Sequence, residues 1–326
     1  MMAIEIKRII AWLLPTGRDR RPAQRRPRTV LAALLLAMAF WGWGCTVTPE
    51  TRQDEGILSS YPVGTVVSSA LGGPVTLDAL TADLASASVV YVGETHTDPA
   101  HHQVQLTVIE RLLERGRPLV IGMEMFDRSY QHVLDGWSAG SFDWEAFLRG
   151  THWYANWRYP DSLYAPVLAV ARDRGIPLVG LNIPFHIPAK ISIGGAESLT
   201  DADRIWLPEK IDTSNTAHRA YVQAVFDSHH IAGRDNFENF YTAQCVWEDT
   251  MAEAIARYAG TEKTMVVIVG NGHIVNRYGV PDRAFRLTGL PYRTVIPISA
   301  GRKIDLSEGD YFWVTEPQPE RQMGRP

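Results

Sequence analysis

Two short runs hold the groups best suited to chemistry: Gly93-Glu94-Thr95-His96 and Gly270-Asn271-Gly272-His273, both of the form Gly-x-x-His. Each closes an apolar stretch, as do Glu124 after Gly122-Met123 and Asn182 after Leu181. Glu94, His96, Glu124 and His273 thus supply two carboxylates and two imidazoles. Imidazole with carboxylate is a ligand set for Zn or Mn. A histidine beside a carboxylate also serves as general base towards a water or hydroxyl, as in a hydrolase. The same groups can simply hold the polar parts of a bound cofactor. A lone histidine would more simply cap a helix or satisfy a loop. Polar residues at four strand ends point instead to a convergent site.

A second feature is the aromatic segment 151–164, THWYANWRYPDSLY, with Tyr154, Tyr159 and Tyr164 beside His152 and Arg158. It offers a flat apolar wall for a planar ligand. A tyrosinate near a cation suits ferric haem, because phenolate binds Fe(III) and the positive charge stabilises it. The plainer alternative is an aromatic satellite core under a long loop. Further along, His218, His229 and His230 with Lys190, Arg219 and Arg234 could bind carboxylates through charge-assisted bonds, or form a solvated face. Gln244, Trp247, Glu248 and Met251 share a helical face, with Gln244 as a candidate cofactor contact and Cys245 as a buried thiol.

Positioning these groups falls to a repeated strand–helix pattern. Residues 88–92, 119–123, 178–181, 265–269 and 294–298 are near-continuous aliphatic runs, which suit parallel strands covered on both faces. Val104, Val108, Ile109, Leu112 and Leu113 fall on one helical stripe that Gly116 ends, and 165–174 repeats the pattern before the third strand. This alternation predicts an α/β fold: a mostly parallel central sheet with helices on both faces. Helical stretches at 200–207, 216–232 and 241–259 lack an intervening strand, so an inserted helical lid is expected over about 185–262.

The chain has 326 residues, 45% hydrophobic, and a net charge of −4, which supplies no basic field for nucleic acid. Its N-terminal part departs from this composition. Arg18, Arg20, Arg21, Arg25, Arg26 and Arg28 precede an uncharged run from Val30 to Gly44, and then Cys45. A basic region, a short apolar run and a small residue before cysteine describe a lipoprotein signal peptide over 1–44. The run is short for a membrane span, which needs roughly 20 apolar residues. Cys45 is then the lipidated residue, carrying palmitate-like acyl chains. Residues 45–62 form a tether, 63–316 the folded domain and 317–326 a polar tail. Thr46 favours an outer-membrane anchor facing the periplasm, by the rules of lipoprotein sorting. Gly42 and Trp43 depart from the usual residues before such a cysteine.

In their order, VYVGETHTDPAHHQVQL, PLVIGMEMFDR, YAPVLAVARDRGIPLVGLNIP, FYTAQCVWEDTMAEAIA and VVIVGNGHIVNRYGVP resemble the ChaN-like haem-binding lipoprotein family. The resemblance runs from about residue 75 to about 290, and its most specific pieces are Gly93–His96, Gln244 with Trp247, and Gly270–His273. It implies an α/β domain that binds haem for iron acquisition at the cell envelope, in a possible homodimer. A tyrosine would lie on the iron and basic side chains on the propionates. No motif assigns that tyrosine, and Tyr154, Tyr159, Tyr164, His229 and Gln244 are the candidates for haem contacts. The wider group includes erythromycin-esterase-like enzymes and envelope metalloproteases with paired Gly-x-x-His motifs. By that resemblance Glu94, His96, Glu124 and His273 would be catalytic or metal-binding.

Overall fold

The computed structural model describes residues 57–58, 61–228 and 233–317. Cys45, the signal segment, His229, His230 and most of the polar tail lie outside the described residues. In chain order the elements begin with β1 (Ile57–Leu58), β2 (Val66–Ser68), β3 (Gly73–Val75), α1 (Leu77–Leu84), β4 (Val89–Glu94), α2 (Pro99–Glu114) and β5 (Leu119–Asp127). There follow α3 (Gln131–Ser138), α4 (Trp144–Gly150), α5 (Trp153–Asn156), α6 (Ala165–Asp173) and β6 (Leu178–Asn182). Next come α7 (His186–Gly194), α8 (Asp201–Arg204), α9 (Thr216–Ser228) and α10 (Phe237–Tyr258). The chain continues through β7 (Thr264–Gly270), α11 (Val280–Thr288), β8 (Tyr292–Ser299), β9 (Lys303–Ile304) and β10 (Tyr311–Thr315).

The main sheet has 8 strands in the order β3-β2-β10-β8-β4-β7-β5-β6. From β10 to β6 every neighbouring pair runs parallel, and β2 and β3 add an antiparallel margin. The five aliphatic runs are five of these parallel strands. Their alternate residues feed separate cores, which is why the runs show no polar side. Val90, Val92, Val266 and Ile268 pack with α1, α2 and α6, whereas Val89, Tyr91, Val267 and Val269 pack with α10 and α11.

Three parts of the sequence reading change here. Ile57–Leu58, assigned to the tether, pairs antiparallel with β9. The edge strands β2, β3 and β10 were not expected, because strands of three to five residues carry too little periodicity to stand out. The segment 185–262 is not wholly a lid. The first half of α10 packs Ala243 and Val246 on Ile187 and Ile191 of α7, but its second half buries Met251, Ala252 and Ile255 against the sheet. Asn236 starts this helix earlier than the apolar pattern implied, since its side chain accepts the Asn239 N–H.

The free edge of β6 is closed by a side chain. Gln131 accepts the Gly180 N–H at 3.1 Å and donates to the Leu178 carbonyl at 2.8 Å, as a neighbouring strand would. Gly180 itself is fixed by crowding, because a Cβ there would lie 2.8 Å from the Asp127 carbonyl oxygen.

Candidate active site and adjoining cleft

Connectivity alone singles out one place on this sheet. β4 and β7 are parallel neighbours, with Glu94 opposite Gly270. The chain leaves β4 for α2 on one face and leaves β7 for α11 on the other. Between two such exits a crevice opens at the carboxyl ends of the strands, where doubly wound sheets bind ligands. The two Gly-x-x-His runs are the walls of that crevice. Gly93 and Gly270 are required by close approach. A Cβ at Gly93 would lie 1.9 Å from Asn271 Oδ1, and one at Gly270 would lie 3.0 Å from His96 Cε1.

One half of the site is built around Glu94, which is buried at the end of β4. Its Oε1 lies 2.7 Å from His96 Nδ1 and accepts the Tyr164 hydroxyl at 2.6 Å. Its Oε2 accepts Gln105 Nε2 at 2.7 Å. Asp98 caps α2 and Pro99 opens it, so the next turn aims His102 and Gln105 back at the strand end. His102 Nε2 lies 3.2 Å from the His96 carbonyl. The His96 ring packs edge-on to Trp157 with centroids 4.8 Å apart, and its side chain keeps 28% of its surface. With Nδ1 held by a carboxylate, Nε2 is the nitrogen left for chemistry. Burial would lower the His96 pKa, but the Glu94 hydrogen bond and the nearby Glu124 charge outweigh it and raise the value.

The other half is a chain of buried charges. His273 Nε2 lies 3.5 Å from Glu124 Oε1, and Nδ1 lies 3.2 Å from Glu248 Oε1. Glu124 Oε2 also accepts the Gly270 N–H at 2.6 Å. Behind Glu248 stand His218 Nε2 at 3.2 Å and Arg283 Nε at 3.3 Å, and Arg283 continues to Asp249 at 2.6 Å. Burial opposes every charge here. For His273 the two carboxylates, Glu124 foremost, overcome that penalty and push the pKa up to about 10. For Glu124 the same burial is overcome by His273 and His96, which bring it down to about 2. The two carboxylates therefore favour His273 as an imidazolium between them. Among the described residues, no three His, Cys, Asp or Glu side chains are set to hold a metal ion. Glu94, His96, Glu124 and His273 do meet in one crevice.

Gln244 connects this crevice to a cleft of about 690 Å³. Its amide donates to Glu248 at 2.8 Å and lies 3.1 Å from His273 Nδ1, while the same residue lines the cleft. Phe185, Trp206, Phe240 and Trp247 give the cleft aromatic walls, and Arg158 and Arg234 give it positive charge. Neither arginine has an ion-pair partner among the described residues. Arg158 has a left-handed backbone, φ 69°, a costly conformation for a side-chain-bearing residue.

The three candidate tyrosines separate. Tyr164 is 1% exposed, takes the Trp157 indole N–H at 3.0 Å and donates to Glu94, so it supports the crevice and does not face the cleft. Tyr159 packs on His96 with ring centroids 5.1 Å apart. Tyr154 is 59% exposed, bonds Asp161 at 2.5 Å and lies on a shallow apolar patch with Leu148 and Trp153. His218 is buried in the charge chain, and Lys190 and His186 share Asp203 at 2.7 and 2.8 Å. Cys245 is free and buried, and burial raises its thiol to about 11. Gln105 and Arg283 belong to the site without standing out in the sequence. The helix start at Asp98-Pro99, with Gln105 two turns on, was the available signal for the first.

The sequence matches the family described as haem-binding uptake, Tiki superfamily, ChaN, over residues 80–284. Among solved structures it is similar to the ChaN of Campylobacter jejuni with cofacially bound haem, at 16% identity and a TM-score of 0.62, covering 76% of this chain and 95% of that one. An erythromycin esterase, EreC, in its open conformation is a remoter neighbour: TM-score 0.42, 13% identity, 68% of this chain and 72% of that one. Among curated proteins, RETICULATA-RELATED 5 of Arabidopsis thaliana chloroplasts is 21% identical over 265 residues, which is 72% of this chain. The chain spans 35% of the length of that relative.

Proposed function

The chain belongs to the ChaN family of haem-binding uptake proteins, and we propose that it binds haem in the cleft beside Gln244, in the service of iron acquisition. The observation that carries this reading is the chemistry of the cleft. Its aromatic walls suit a flat macrocycle, and Arg158 and Arg234, without an ion-pair partner among the described residues, are cations suited to two propionates. A volume of about 690 Å³ falls within the usual span for small-molecule sites. Bound haem would supply an iron centre. The chain's own part is to exclude water with Phe185, Phe240 and Trp247 and to orient the carboxylates. Haemin titrated into the full chain in mild detergent should give a saturable Soret shift. Arg158→Gln with Arg234→Gln should weaken binding about tenfold, about 1.4 kcal/mol, and flatten its salt dependence. Unchanged affinity and salt dependence would remove the cleft from the reading.

The envelope location rests on the sequence around Cys45. Mass spectrometry of the N-terminal peptide of the mature protein tests it: acyl chains on Cys45 support the anchor, and an unmodified Cys45 within a longer chain refutes it.

A second reading is favoured by one observation, the Glu94–His96 pair that leaves Nε2 as a base. In that reading the crevice is a histidine-based hydrolase site, with His96 taking a proton from water and the Glu124–His273–Glu248 chain holding fixed charge. His96→Ala should abolish hydrolysis of a panel of esters and lactones while leaving haemin binding intact. Absence of turnover in the wild-type chain across such a panel counts against it.

A further inference from the structure

Each histidine of the crevice stands one side chain away from the cleft. Trp157 packs edge-on to His96, with centroids 4.8 Å apart, and also meets Phe185 of the cleft wall at 5.9 Å. Trp247 lines the cleft and stands edge-on to His273, with centroids 6.2 Å apart. A molecule lying against Phe185 and Trp247 therefore has one end beside the partly exposed His96 ring and the other among the charges of the cleft.

Arg158 brings positive charge to that border. Its neighbours Trp157 and Tyr159 both pack on His96, while Arg158 itself lines the cleft. The Trp157 indole is tied to the Tyr164 hydroxyl at 3.0 Å, so a buried neighbour holds the turn in which Arg158 keeps its left-handed backbone. The other charged groups of the lining are engaged elsewhere. His186 is held by Asp203 at 2.8 Å, and the carboxylate of Asp127 accepts the Ser129 N–H at 2.9 Å and the Ser129 hydroxyl. Arg158 and Arg234 are left as the cations of the lining without an ion-pair partner among the described residues. A planar guanidinium pairs with a carboxylate through two parallel N–H bonds.

We propose that the substrate of the crevice is an aryl ester bearing a carboxylate remote from the ester bond. The carboxylate sits on Arg158 and Arg234, the aromatic part lies against Phe185 and Trp247, and the ester reaches His96. This rests on the hydrolase reading above and is independent of the haem reading. In the step, the oxygen of a water bonds the acyl carbon and the carbon–oxygen bond to the leaving alcohol breaks. His96 Nε2 takes a proton from that water and passes it to the alcohol, so the products are an acid and an alcohol.

The test uses the full chain and two probes, 6-carboxy-2-naphthyl acetate and its neutral 6-carboxamide analogue. Released naphthol is read by fluorescence, and each rate is divided by the uncatalysed rate of the same ester. The wild type should favour the carboxylate probe by about tenfold or more in kcat/KM, mainly through KM, and salt should erode that preference. In Arg158→Gln with Arg234→Gln, checked for native circular dichroism, the preference should shrink to about twofold or less. A structural role for the arginines would change both probes alike and leave the ratio as it was. No turnover of either probe, or turnover undiminished in His96→Ala, overturns the hydrolase reading and the inference with it. Turnover that needs His96 but treats both probes equally, or a preference that survives loss of both arginines, overturns the substrate assignment alone.

Discussion

Replacing His273 by Gln should change how stability depends on pH, because the histidine is held protonated only in the folded chain. An unfolded histidine titrates near 6.5, and the Glu124 and Glu248 carboxylates carry the native value to about 10. A raised pKa stabilises fully below the unfolded value, and that stability is lost as pH rises through the native one. Above about pH 6.5 the unfolded chain has released the proton and the native chain retains it, so stability falls by about 1.36 kcal/mol per pH unit. Between about pH 6.5 and 9 the His273 contribution is therefore roughly 3 kcal/mol, as an order of magnitude. The depressed pKa of Glu124 is the same interaction seen from its partner and is not added. Urea denaturation of the full chain at pH 6.5 and pH 9 measures this directly. The wild type should lose roughly 3 kcal/mol more than His273→Gln over the interval. The variant should be weaker at the lower pH, by about 3–5 kcal/mol, since it leaves two buried carboxylates short of a partner. Glu124→Gln, with one carboxylate removed, should show an intermediate slope. Equal pH slopes in wild type and His273→Gln would refute the fixed imidazolium.

Other perturbations read different parts of the site. Gly93→Ala places a methyl against the Asn271 amide and should cost about 1–3 kcal/mol by differential scanning calorimetry, since Asn271 must move. Tyr164→Phe deprives Glu94 of a donor and the Trp157 indole of its acceptor. It should lower stability by about 1–3 kcal/mol while leaving the Soret spectrum of the haemin complex unchanged. In acid, Glu124 contributes stability that is present above about pH 4.5 and fades as pH falls through about 2. Glu124→Gln should accordingly flatten the acid limb of the denaturation curve.

The sequence by itself determined the parallel sheet. Continuous aliphatic runs such as 265–269 have no polar side, because both faces of the strand are covered, and that pattern survives in one dimension. It also determined the position of the crevice, since Gly93–His96 and Gly270–His273 are glycine–histidine runs that carry the chain out of the ends of two such strands. Short edge strands escaped, because three residues of β2 hold too little pattern, and so did the docking of α10 on the sheet.

Only the tertiary structure decided the protonation and accessibility of each group. Nothing around His273 in the sequence announces that Glu124 and Glu248, far away along the chain, flank its two nitrogens. Nor does the aromatic run 151–164 reveal that Tyr164 is sealed on Glu94 while His152 and Asn156 turn towards Tyr130. Apolar periodicity records which face of an element is buried, and so it can be read along the chain. A proton's place depends on which charges and hydrogen-bond partners lie within a few ångströms, and chain closure from distant segments sets those distances.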